Sequence, residues 1–218
     1  MKIDRPSTVL VVATNVAAIA VALWQHWPLV VLLWPYWLQS VIIGWYSGRR
    51  ILALRQFSLE GTSGFDQGSD EATKRHTVRF FAMHYGVFHL GYFIFLFMAT
   101  SGKVPHVPAY NVTAGDLLLM AAIGVSFVFT HRSSYRRIMQ SDETGRPNIG
   151  GVMFLPYLRI LPMHLTIILG LGSGYTGGVV LFGTLKTIAD VLMHWIEYRI
   201  TAGSASAAAV SSLPESRR

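Results

Sequence analysis

Apolar residues along this chain fall into six long runs separated by short polar or basic stretches. They cover about Ser7–Trp24, Pro28–Tyr46, Val78–Ala99, Ala114–His131, Val152–Leu171 and Gly177–Arg199. Roughly 20 apolar residues are needed for a helix to cross a bilayer core, so the pattern predicts an all-α bundle of six transmembrane helices. Only Gln25-His26-Trp27 joins the first two runs, and Pro28 suits a helix start, which predicts a tight helical hairpin. A second short link, Gly172-Ser173-Gly174-Tyr175-Thr176, joins the last two. Trp24, Trp27, Trp45, Tyr46, Tyr175, Trp195 and Tyr198 lie near predicted helix ends, as an interfacial aromatic belt requires.

The basic residues give this bundle a direction. With the N-terminus, the second and fourth loops and the C-terminus in the cytoplasm, 15 Lys and Arg lie inside and only Lys103 outside. The positive-inside rule therefore predicts both termini in the cytoplasm of a multi-pass protein of the cytoplasmic (inner) membrane. A competing reading takes Lys2, Arg5 and the run ending in Ala20-Val21-Ala22 as a cleaved secretory signal. The 18-residue run is long for a signal core, and the short hairpin favours a retained span.

Composition agrees. Charged residues make up 13% of the 218 positions and hydrophobic ones 52%, against about 25% charged in a soluble domain. The net charge of +7 resides mainly in loops, which points to a lipid bilayer rather than nucleic acid as the main partner; self-association as a homo-oligomer is compatible with the pattern. Absence of cysteine removes disulfides, thiolate metal sites and cysteine nucleophiles. Residues 1–200 form the expected transmembrane domain, with a flexible, Gly-containing loop over about 57–75 and a disordered tail over 201–218. The sequence holds no internal repeat, P-loop, dinucleotide fingerprint or nucleophile-elbow motif.

Candidate chemistry comes from polar residues inside the runs. Arg159, Lys186 and Asp190 would together cost roughly 8 kcal/mol if they faced lipid, so they are expected to face protein, water or one another. At about 1.5 Å of rise per residue, Arg159 lies about 10 Å deep, His164 and Lys186 about 18 Å, Asp190 about 12 Å and His194 about 6 Å. His84, His89 and Gln39 fall in the same cytoplasmic half, about 9, 16 and 10 Å deep. Lys186, Asp190 and His194 share one helix face at i, i+4 and i+8. A tetrahedral zinc site from His84, His164, Asp190 and His194, with Arg159 and Lys186 stabilising negative charge, would support metal-dependent hydrolysis. A structural Arg159–Asp190 ion pair and ordinary hydrogen-bonded histidines are the plainer reading. Pro156 and Pro162 interrupt the fifth helix, as is tolerated where backbone lines protein or a cavity.

Leu33-Trp34-Pro35-Tyr36-Trp37, the His84–His89 stretch, Leu155–Ile160, His164–Ile167 and Leu185–Asp190 with His194 and Glu197 carry a further signal. In these segments the chain resembles a bacterial and archaeal family of multi-pass membrane proteins known only as a domain of unknown function. The resemblance marks His84, Arg159, His164, Lys186, Asp190 and His194 as motif positions. It also implies an acid where this chain has Gln39, and it implies no activity. Four functions are therefore compared: a zinc-dependent intramembrane hydrolase, a transporter or channel with a charged path, a b-type cytochrome using a pair such as His89 and His164, and a non-catalytic assembly partner.

Overall fold

A computed structural model describes residues 5–105, 107–170 and 174–211. They form a helical bundle: α1 (Arg5–Trp24), α2 (Leu29–Ala53), α3 (Asp70–Thr100), α4 (Ala114–Thr144), α5 (Ile149–Gly170) and α6 (Gly174–Ser211). Among the described residues the only β-type pairing is an isolated bridge between Ser58 and Asn148. Four of the helices, or parts of them, are long and apolar enough to cross a membrane: Leu29–Ala53, Asp70–Thr100, Ile149–Gly170 and Thr176–Met193. The apolar parts of α1 and α4 are shorter, Asn15–Trp24 and Ala114–Phe129.

The surface explains what surrounds the bundle. Met83, Val87, Leu90, Ile94 and Phe97 recur every three or four residues along α3 and are all exposed, which aligns them on one face. Leu117, Leu118, Val125 and Phe129 of α4 and Phe154, Leu161, Ile168 and Leu169 of α5 are exposed as well. Contiguous apolar surface on this scale is foreign to a soluble monomer and natural to a membrane protein.

At the centre lies α2. Val30, Val31, Leu33, Tyr36, Ile43 and Ile51 are buried along it, and it packs most extensively against α3. Polar groups lock that contact. The Trp37 indole donates to the His89 carbonyl at 3.0 Å, Trp34 donates to Thr100 Oγ1 at 3.1 Å, and the Tyr85 hydroxyl donates to the Ser40 carbonyl at 2.9 Å. Gly44 is required there, because a Cβ would fall on the Tyr85 ring. On the other side α1 lies along α6, where Gly183 leaves room for Ile19.

Both prolines shape α5. Its first turns, Ile149–Phe154, are α-helical, Leu155–Arg159 tightens to 3₁₀, Ile160–Leu165 returns to α, and Thr166–Gly170 widens to a π-turn. Proline has no N–H to continue the ladder, which frees carbonyls one turn earlier; at the π-turn the Thr166 hydroxyl donates to the Pro162 carbonyl at 2.6 Å, beside the Thr166 N–H. The break turns Arg159 inward at the junction with α6.

Between α2 and α3 the chain follows a defined path. Ser58 N–H donates to the Pro147 carbonyl at 3.0 Å, Ile149 N–H to the Ser58 carbonyl at 3.1 Å, and Arg146 Nε to the Phe57 carbonyl at 3.0 Å. Beneath it Arg50 grips Asp142 at 2.7 and 2.9 Å, both side chains buried. Lys74 donates to the Leu54 carbonyl at 3.1 Å and pairs with Glu71. Residues 201–211, assigned to a tail by composition, continue α6 as helix.

Candidate functional site

Three of the expected site residues meet. Asp190 Oδ2 accepts from Lys186 Nζ at 2.6 Å, one helical turn away on α6. Its other oxygen faces Arg159 Nη2 from α5 at 3.4 Å. The sequence reading missed a fourth member, Asn15 of α1. Its amide donates to Asp190 Oδ2 at 3.1 Å, and its carbonyl accepts from Lys186 Nζ at 2.6 Å. A lone amide inside an otherwise apolar helix was the available signal, since an unpaired buried amide is costly and Asn15 is 8% exposed.

Two cations thus share one carboxylate, leaving the cluster a net +1 if all three are ionised. Arg159 also lies 5.8 Å from the centre of the Phe127 ring, a cation–π arrangement with α4. Tyr36 stands close enough to feel both Arg159 and Asp190. Its hydroxyl, Arg159 Nε and Asp190 Oδ1 are buried without a hydrogen-bond partner among the described residues. The cluster is therefore polar beyond what its own bonds satisfy.

The histidines go elsewhere. His84, exposed on α3, meets the Tyr157 hydroxyl at 2.8 Å and stacks on Phe80 at 5.5 Å. His164 is also exposed and meets the Tyr92 hydroxyl at 3.1 Å. His89 is buried, lies flat on Tyr85 and places Nδ1 2.9 Å from the Tyr85 carbonyl, which fixes that nitrogen as a donor. The His194 side chain lies outside the described residues. Among the described residues no three His, Cys, Asp or Glu side chains gather where one ion could be held. The expected zinc set of His84, His164, Asp190 and His194 is therefore not assembled by its described members. Asp190 turns to Lys186, Asn15 and Arg159, and each of the two histidines turns to a tyrosine.

One cavity opens from the cluster, and others lie along α2 and α4. The first, of about 230 Å³, lies between α1, α2, α4 and α6 and is lined by Asn15, Tyr36, Gln39 and Lys186, with Trp27 and Asp116 also on its wall. Gln39 also lines the next opening, with Ser126 and Phe127 of α4. A third, about 40 Å³, is bounded by Tyr46, Arg50, His131 and Tyr135. Along α2 the lining positions thus advance from Val31 to Arg50, while along α4 they advance from Asp116 to Ile138. At 1.5 Å per residue the α2 stretch covers about 29 Å, the thickness of a hydrocarbon core. Asp116 belongs to a capping box at the start of α4, accepting from Thr113 N–H and Thr113 Oγ1 at 2.8 Å and from the Tyr110 hydroxyl at 3.1 Å. Burial and this bond to a carboxylate raise the Tyr110 pKa, so it stays a donor.

Comparison with known families places this arrangement. The family described as "Family of unknown function (DUF6498)" matches residues 2–207. The chain belongs to that family. No curated protein and no solved structure matches it. Membership in DUF6498 agrees with the resemblance read from the helix-borne motifs, and it carries no activity with it.

Proposed function

We propose that this DUF6498 protein is a six-span transport protein of the cytoplasmic membrane, with both termini inside, that moves a small charged solute along the seam between α2 and α4. The six-span reading adds α1 and α4 to the four apolar helices, and the distribution of Lys and Arg supports the orientation. The observation that carries the transport reading is the succession of separate openings along the seam. Polar side chains follow one another from Asp116 through Gln39 and Lys186 to His131 and Arg50, with the Arg159–Asp190–Lys186 cluster beside its middle. Ionisable groups inside a membrane are costly and mark solute or proton paths, and a broken helix such as α5 is tolerated where it lines one.

A second reading has its own support. Asp190 Oδ2 is fully engaged by Asn15 and Lys186, as in an ion pair that only clips α1, α5 and α6 together. Reconstituted proteoliposomes separate the two. Uptake from a mixed panel of small anions, cations and zwitterions, read by mass spectrometry, should exceed that of empty liposomes for one class and fall at least ten-fold in Asp190→Asn. Uptake no greater than in empty liposomes, with correctly folded and inserted protein, leaves the clip as the reading that stands.

A further inference from the structure

We propose that the cavity between α1, α2, α4 and α6 binds a small organic monocarboxylate with a compact apolar body, its carboxylate paired with Lys186. This names the solute class of the path above and rests on that reading.

The cavity walls are mostly apolar: Ala18, Ile19, Val31, Leu32, Val179 and Phe182. Its volume of about 230 Å³ exceeds the roughly 150 Å³ of an engineered apolar cavity that holds benzene, so a body somewhat larger than benzene fits. Lys186 lines the same cavity. Its ammonium uses two of three protons on Asn15 Oδ1 and Asp190 Oδ2, both at 2.6 Å, and keeps one for a ligand. The Gln39 amide lines the wall one helical turn beyond Tyr36.

Charge selects among ligands with that shape. Arg159 and Lys186 against Asp190 leave one positive charge unmatched, which opposes a cation and attracts an anion. An apolar ligand would bury the third Lys186 proton against hydrocarbon without a partner, and a neutral acceptor such as an amide would satisfy that proton but leave the charge unmatched. Asp116 lies on the wall of the same cavity, where three donated bonds and the N-terminal pole of α4 offset its charge. A second carboxylate on the ligand would meet it, so the site favours one acid group.

Titration calorimetry on the full chain in nanodiscs of zwitterionic lipid tests this with hexanoate, hexanamide, hexylamine and palmitate. Hexanoate should bind at least ten-fold more tightly than the amide or the amine. Lys186→Met, which leaves Asp190 its Arg159 partner, should remove that preference. Met120→Trp, which fills the cavity from α4 without touching the ion pair, should weaken acid and amide alike. Tighter binding of palmitate than of hexanoate identifies a membrane-derived fatty acid as the source; the reverse order identifies a soluble acid. Equal binding of acid and amide, preference for the amine, or an acid preference unchanged in Lys186→Met overturns the proposal. Acid-selective binding without flux retires transport and keeps the site. Flux of a cation without acid-selective binding does the converse.

Discussion

Lys186 and Asn15 meet at 2.6 Å across 171 residues of sequence, so the first helix completes the ionic cluster of the last. The contact makes α1 part of the bundle's interior chemistry, and Asn15 bonds to both partners of the Lys186–Asp190 pair. Asn15→Leu should leave both ions short of a partner and lower stability by about 1–3 kcal/mol. Urea or thermal unfolding in detergent would register this as a lower midpoint; an unchanged midpoint would mean the contact is dispensable.

Removing the carboxylate should cost more than removing either cation. Asp190→Asn leaves Arg159 and Lys186 facing each other without their shared anion, at about 3–5 kcal/mol. Lys186→Met leaves Asp190 still paired with Arg159 and should cost less. The order of the two unfolding midpoints checks the claim, and a reversed order contradicts it.

The Arg50–Asp142 pair should behave as a second, separate clamp. Both side chains are buried, so Arg50→Ala leaves an unpaired buried carboxylate, at about 3–5 kcal/mol. Adding Asp142→Leu should recover much of that loss, because the uncompensated charge is gone. A double variant as unstable as the single one would show that the charge is not the cause.

Close packing of α1 on α6 depends on one absent side chain. A Cβ at Gly183 would fall inside the Ile19 side chain, so Gly183→Val should push α1 away, at about 1–3 kcal/mol. Gly48, with open space around its Cα, provides the control: Gly48→Ala should be neutral or mildly stabilising, since alanine is the better helix former.

The helices and the inward-facing charges were legible because each follows from a local rule. Apolar runs predict helices, and Arg159, Lys186 and Asp190 are costly in lipid, so their meeting was foreseeable. The Asn15 contact was not, because a hydrogen bond spanning 171 residues leaves no spacing to read. The separation of His84 and His164 from Asp190 was not legible for a related reason. Similar depth does not fix rotation about the helix axis, and a tyrosine stands beside each of His84 and His164: Tyr157 and Tyr92. The path of residues 54–69 was equally illegible, since backbone bonds from Ser58 and Ile149 and the Arg146 side-chain bond hold it.

On the transport reading proposed above, the seam between α2 and α4 admits water and small ions through the thickness of the membrane. The chain has no cysteine, so single cysteines can be placed without background. Val31→Cys, Gln39→Cys, Ser47→Cys and Ile123→Cys line the seam, whereas Val87→Cys and Ile94→Cys lie on the exposed apolar face of α3. Labelling by a small charged thiol reagent in intact membranes should be at least ten-fold faster at the seam positions than at the α3 positions. Equal rates at both sets would contradict transport along the seam.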